Sequence, residues 1–184
     1  MARTFRIVAG VVIAVVLGSA VYWLLAYRAS QFRGGGPMID TGFFSYYRYH
    51  APLGEFPFNN EGTHQFQFTG LPTEKMVLQF YVPGYSDKNR AELESLKTVL
   101  TAEITDKSGN VVCAASGSPA APIPARWTLM SSRFEAAYWH EACADRPFAR
   151  RTEYSLRVTV LNLDPKTPKV QLRAMLEGGG NELP

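Results

Sequence analysis

Residues 134–145, FEAAYWHEACAD, hold the densest set of groups able to do binding chemistry in this 184-residue chain. On a strand, alternate side chains face opposite ways, so Phe134, Ala136 and Tyr138 share one side and Glu135, Ala137, Trp139 and Glu141 the other. A tryptophan between two carboxylates can stack on a sugar ring while the acids accept hydroxyl hydrogen bonds, and Trp127 is a neighbouring aromatic for such a platform. The same indole can instead pack under a loop. The pattern leaves both open.

Catalysis has thinner support. A hydrolase needs a nucleophile, a base and a group that orients the base, and there is no Gly-x-Ser-x-Gly elbow. His50, His64 and His140 lie far apart, and none has metal-ligand spacing to another. Asp106, Asp145 and Asp164 sit in or beside turns, without the closely spaced series of a calcium loop. No cofactor and no metal is expected, and an enzyme would require distant residues to meet in the fold.

Three further surfaces could meet partners. Residues 51–62 read as a loop in which Phe56 and Phe58 are either satellite core or a docking patch. Residues 145–151, DRPFARR, gather Arg146, Arg150 and Arg151 around a phenylalanine, either as a solvated turn or facing anionic headgroups or an acidic partner. Residues 116–126 carry three prolines and should be extended.

The N-terminus indicates where these surfaces sit. Residues 7–27, IVAGVVIAVVLGSAVYWLLAY, contain no charge, and at about 1.5 Å per residue they cross about 30 Å of hydrocarbon. Arginines flank the run, and Tyr22, Trp23 and Tyr27 gather at its second end, as interfacial rings do. A cleaved signal peptide ending at Gly18-Ser19-Ala20 is the alternative, but the apolar run continues past Ala20 to residue 27. Gly10, Ala14 and Gly18 recur on one helical face, either as a homodimer seam or as small residues facing lipid. Residues 1–37 hold Arg3, Arg6, Arg28 and Arg33 and no acid, so of the 19 basic residues the remainder keeps 15 against 16 acidic ones. That balance excludes the basic footprint of a nucleic-acid binder. Arginines at both ends leave orientation undecided; the even pair Cys113 and Cys143, read as a disulfide of an exported domain, places the C-terminal part outside the cytoplasm.

The elements that must position these groups are strands. Met76, Leu78, Phe80 and Val82 alternate with polar or outward residues, as do Thr98, Leu100, Ala102 and Ile104. Asp106 to Asn110 supplies the turn of a hairpin returning through 111–115. Tyr154, Leu156, Val158 and Val160 are followed beyond 164–168 by Val170, Leu172, Ala174 and Leu176, read as a second hairpin. Weaker strands fall at 39–50, 126–130 and 134–140. One short helix falls at 90–97, with Asn89 and Glu92 at capping-box spacing.

The hairpin ITDKSGNVV (104–112) and the late strand YSLRVTV (154–160) resemble bacterial exported jelly-roll modules of the pre-peptidase C-terminal and carbohydrate-binding types. The resemblance covers about the last two-thirds of the domain and implies a fold, with no functional residue carried over. The expected architecture is therefore an all-β, antiparallel jelly-roll or Greek-key sandwich of eight or nine strands behind one transmembrane helix. Its parts are a cytoplasmic tail (1–6), the span (7–27), a linker (28–37), the sandwich (38–177) and a flexible tail (178–184). The expected role is a non-catalytic periplasmic accessory module on the bacterial inner membrane. Its partners would be the bilayer and another envelope protein, with a glycan as the alternative ligand.

Overall fold

The computed structural model describes residues 12–21, 31–41, 46–131 and 135–179. Residues 12–21, inside the expected span, are helical with exposed side chains. Among the described residues no helix is long and apolar enough to cross a membrane. The rest of the span, Gly10 and Phe134 lie outside the described residues.

The chain forms an all-β sandwich of two antiparallel sheets. The large sheet orders β1 (Ile39–Asp40), β2 (Tyr49–Pro57), β11 (Gln171–Gly178), β4 (Lys75–Tyr81), β8 (Ala136–Trp139) and β7 (Thr128–Ser131), with β9 (Arg146–Pro147) also paired to β4. The small sheet orders β3 (Gly62–Phe68), β10 (Tyr154–Leu161), β5 (Val99–Asp106) and β6 (Val111–Gly117). Period-two alternation aims Leu100, Ala102, Ile104, Leu156, Val158 and Val160 from the small sheet at Leu78, Phe80, Leu172, Ala174 and Leu176 from the large one, all essentially unexposed. Burial of this kind stabilises by about 25 cal/mol per Å² of apolar surface, and the two inner faces meet as packed layers.

Aromatic side chains thicken the interlayer. Phe56 meets Phe80 edge-on at 5.2 Å between ring centres, Phe80 lies 5.0 Å from Trp127, and Trp127 lies 5.2 Å from His140. Trp127 donates its indole N–H to the Leu100 carbonyl at 2.9 Å, which satisfies its one polar atom. Trp127, Phe56 and Phe58 are all 0% exposed, so the platform role of Trp127 and the docking patch at Phe56 and Phe58 give way to core packing.

The structure corrects several boundaries. Residues 51–57 are strand rather than loop, because the period is broken by a bulge: Ala174 pairs with Gly54, but Met175 pairs with Pro52. The inward phase therefore switches from Ala51 and Leu53 to Phe56 and Phe58. β10 and β11 are not a hairpin, since the turn between them carries the chain from the small sheet to the large one. The helix α1, Arg90–Glu94, is shorter than expected, and Asn89 makes no side-chain cap; its Oδ1 accepts from the Ser86 N–H instead. Gly178 belongs to β11 rather than to a tail.

The expected linker is also partly built into the sandwich. Phe32 is buried, Arg33 and Thr69 exchange two backbone hydrogen bonds of 2.9 Å, and the Gly35 N–H donates to the Pro52 carbonyl at 2.9 Å. This segment closes the seam between β2 and β3. A Cβ at Gly35 would fall 2.5 Å from the Leu53 carbonyl carbon, so the backbones approach as closely as only glycine allows.

Cys113 on β6 and Cys143 in the 3-10 turn Glu141–Cys143 form a disulfide with Cα atoms 5.2 Å apart. It ties the edge of the small sheet to the corner after β8. With a sequence separation of 30, the bond should stabilise the fold by about 3 to 4 kcal/mol in the chain-entropy model. Urea unfolding of the C113A/C143A variant should show that loss, with an unchanged midpoint contradicting it.

Candidate binding surface on the large sheet

The small sheet's outer face is an ordinary polar surface. Thr63 and Thr159 hydroxyls lie 3.0 Å apart there, and Arg157 pairs with Glu103 at 3.9 Å, an exposed ion pair of little energetic weight. The large sheet's outer face is different. β4 is buried along both faces, so Val77 and Gln79, which point away from the core, are covered as well.

Strand register assembles this face in rows. Glu177 on β11 stands opposite His50 on β2 and Val77 on β4; Met175 stands opposite Gln79, and Gln79 opposite Trp139 on β8. Arg173 stands opposite Glu55 and Tyr81. The Glu177 carboxylate, 1% exposed, takes hydrogen bonds from His50 Nδ1 at 2.5 Å and from the Tyr81 hydroxyl at 2.9 and 3.0 Å to its two oxygens. A carboxylate out of water needs such partners, because desolvation disfavours its charge. Hydrogen bonding to Glu177 holds the His50 imidazole above its ordinary range against an opposing effect of burial. Burial, with the Glu177 charge and hydrogen bond adding to it, pushes the Tyr81 phenol up.

Tyr47 extends the cluster. Burial pushes its hydroxyl up to about 12; Tyr46 and Glu177 add to the shift, and the Gln79 amide opposes it. The loop bearing Tyr46 and Tyr47 is pinned by Arg48, whose Nε and Nη2 both reach the Asp40 carboxylate at 3.1 Å. Among the described residues, Gln79 Nε2 and Trp139 Nε1 are buried and make no hydrogen bond of normal geometry. These two donors sit on paired strands, beside a groove of about 420 Å³ lined by Glu55, Tyr81, Gly84, Glu135, Gln171 and Arg173. The Arg173 guanidinium lies over the Tyr81 ring, 5.5 Å from its centre.

Of the residues singled out in 134–145, Trp139 is half-buried on this face and Glu135 is exposed in the groove. Glu141 is exposed but sits in the 3-10 turn beyond β8, where strand alternation no longer holds. Arg146 donates from Nε to the Ala142 carbonyl at 2.8 Å, whereas Arg150 and Arg151 are exposed in a turn. Ala14 and Gly18 are exposed on helical residues 12–21. The His50–Glu177–Tyr81 cluster escaped sequence reasoning. Its members come from three strands, and Glu177 read only as the last residue of the domain. The outward phase it shares with Arg173 on β11 was the one available signal.

Chemically, the cluster can hold and orient polar groups. Among the described residues, no serine, threonine or cysteine side chain is hydrogen-bonded to His50. Nor do three potential ligands gather for a metal there.

The two perturbed histidines give opposite pH signatures. His50, raised when folded, contributes stability that is fully present below its unfolded value of about 6.5 and is lost as pH rises through the folded value. His140 is buried beside Trp127, with Nδ1 accepting from the Ala142 N–H at 3.1 Å. Burial lowers it, with Glu141 opposing, so its contribution is present above about 6.5 and is lost as pH falls through the folded value. His50→Gln should therefore destabilise more at about pH 5.5 than at about pH 8.5 in urea unfolding, whereas His140→Leu should reduce acid sensitivity. A His50→Gln difference that is flat across this range would contradict the assignment.

No protein-family model matches the chain, and no curated protein matches it.

Proposed function

We propose that this chain is a membrane-tethered, non-catalytic interaction module of the bacterial envelope. Residues 7–27 anchor it in the inner membrane, its sandwich lies in the periplasm, and another envelope protein docks on the outer face of the large sheet. The strand order β2-β11-β4-β8 over β3-β10-β5-β6 supports a jelly roll, because nearly every long strand is followed by one in the opposite sheet. The Cys113–Cys143 bond supports an oxidising compartment.

The observation that carries the reading is the core-like burial of Glu177 and Gln79 on an outer face, beside a groove bearing both signs of charge. A partner would meet this face through Arg173, Glu55 and Glu135, which line the groove and can pair with groups of either charge. A glycan is the second reading, favoured by the acids Glu55 and Glu135 around a polar groove. It ranks lower because Trp139 is half-buried and Arg173 covers one face of Tyr81, leaving little open ring to stack on.

A photocrosslinking residue placed at Arg173 in cells should give covalent adducts of discrete protein mass, whereas one at Thr101, on the outer face of the small sheet, should give none. Adducts from neither position, or equally from both, would defeat the assignment of this face. A C-terminal alkaline phosphatase fusion should be active; an inactive one would defeat the periplasmic location.

A further inference from the structure

The geometry points to a second surface: the end of the sandwich carrying Arg33, Arg150 and Arg151 docks on the anionic phospholipid headgroups of the leaflet that holds the span. This rests on the membrane-tether reading above. From Tyr27, the last residue of the apolar run, to Gln31 is four residues, which reach at most about 14 Å when fully extended. Gln31 is fixed to the sandwich. Its carbonyl oxygen lies 2.0 Å from where a Cβ of Gly70 would stand, a residue at φ +79° where glycine is favoured. Whatever surrounds Gln31 is therefore within reach of the headgroups.

Three arginines are tied to this region of the fold. Arg33 is exposed and bridges Thr69, and the Thr69 hydroxyl donates to the Thr152 carbonyl at 3.2 Å. That contact brings in the turn holding Arg150 and Arg151, closed by the Thr152 N–H to the Ala149 carbonyl at 3.2 Å. The turn is held from below. Ala149 N–H donates to the Tyr154 hydroxyl at 2.7 Å, and Phe148 packs edge-on to Tyr154 at 5.1 Å. Among the described residues none of the three arginines has a carboxylate within 4 Å, although Glu153 is two residues from Arg151 and the Glu74 carbonyl accepts from the Phe148 N–H. Arginine near an anionic surface is attracted within a screening length, and a bidentate guanidinium suits phosphate. Docking this end would also hold the candidate groove clear of the bilayer, since Lys75 and Tyr81, at opposite ends of β4, are separated by about 20 Å.

The test uses the full chain in proteoliposomes, with a fluorophore at Ala149→Cys, or at Lys88→Cys as a far-end control, and a headgroup nitroxide as quencher. Strong quenching at position 149 is expected in vesicles containing phosphatidylglycerol. It should fall about tenfold in purely phosphatidylcholine vesicles or with Arg150→Glu/Arg151→Glu, and position 88 should stay unquenched. Both arginines are exposed in their turn, and unchanged urea unfolding of the double variant confirms that the fold is kept. Equal quenching in both lipids, or no effect of the double variant, in chains that resist alkaline carbonate extraction overturns the docking surface alone. Chains that carbonate extracts overturn the tether, and this proposal with it.

Discussion

β11 lies between β2 and β4, and the outer face of the large sheet depends on that pairing. It sets Glu177 against His50 and places Arg173 over Tyr81. The bulge at Ala174/Met175 decides the register: continued without it, the pairing would bring Glu177 opposite Ala51, whose side chain faces the core. One extra residue in β2 thus gives the carboxylate an imidazole rather than a methyl group. Because the last strand occupies the middle of the sheet, its neighbours cannot complete their ladders until nearly the whole chain has collapsed. Such non-local pairing slows folding.

Strands that lie wholly in one phase were legible in the sequence. β5 and β10 alternate cleanly, and the turn between β5 and β6 announced itself through Asp106, whose carboxylate accepts from the Ser108 and Asn110 N–H groups at 2.8 and 2.9 Å. The Cys113–Cys143 pairing followed from cysteine count. β2 was hidden by the bulge, which reverses its phase, and by Pro52 and Pro57, residues that suit a strand only where no neighbour needs their N–H; beyond its two pairs with β1, β2 has a ladder only on the β11 side. Whether β10 and β11 share a sheet is invisible to periodicity, since a turn of that length serves a hairpin or a crossing alike. The candidate site was half legible. Glu135 and Trp139 stood out by type, but the cluster they border is made by pairing between strands distant in sequence.

The Gly-rich stretch at 34–36 shows how composition misleads in the other direction. It reads as a flexible tether, yet it lies against β2 because glycine lets two backbones approach without side chains between them. Met38 and Phe32 on either side are buried, so the stretch is flanked by core residues. The same composition that would free a linker in solution here permits a seam.

That seam also has a mechanical meaning. A pull transmitted along the chain from residue 30 is borne first by the Arg33–Thr69 pair of hydrogen bonds, the Gly35–Pro52 bond and the burial of Phe32, before any long strand is loaded. Peeling residues 31–37 free would lengthen the connection by about 20 Å while both sheets stayed whole. The segment is in effect a slack-releasing clasp: wherever the chain is held N-terminal to it, these few bonds set how far the sandwich can travel under load.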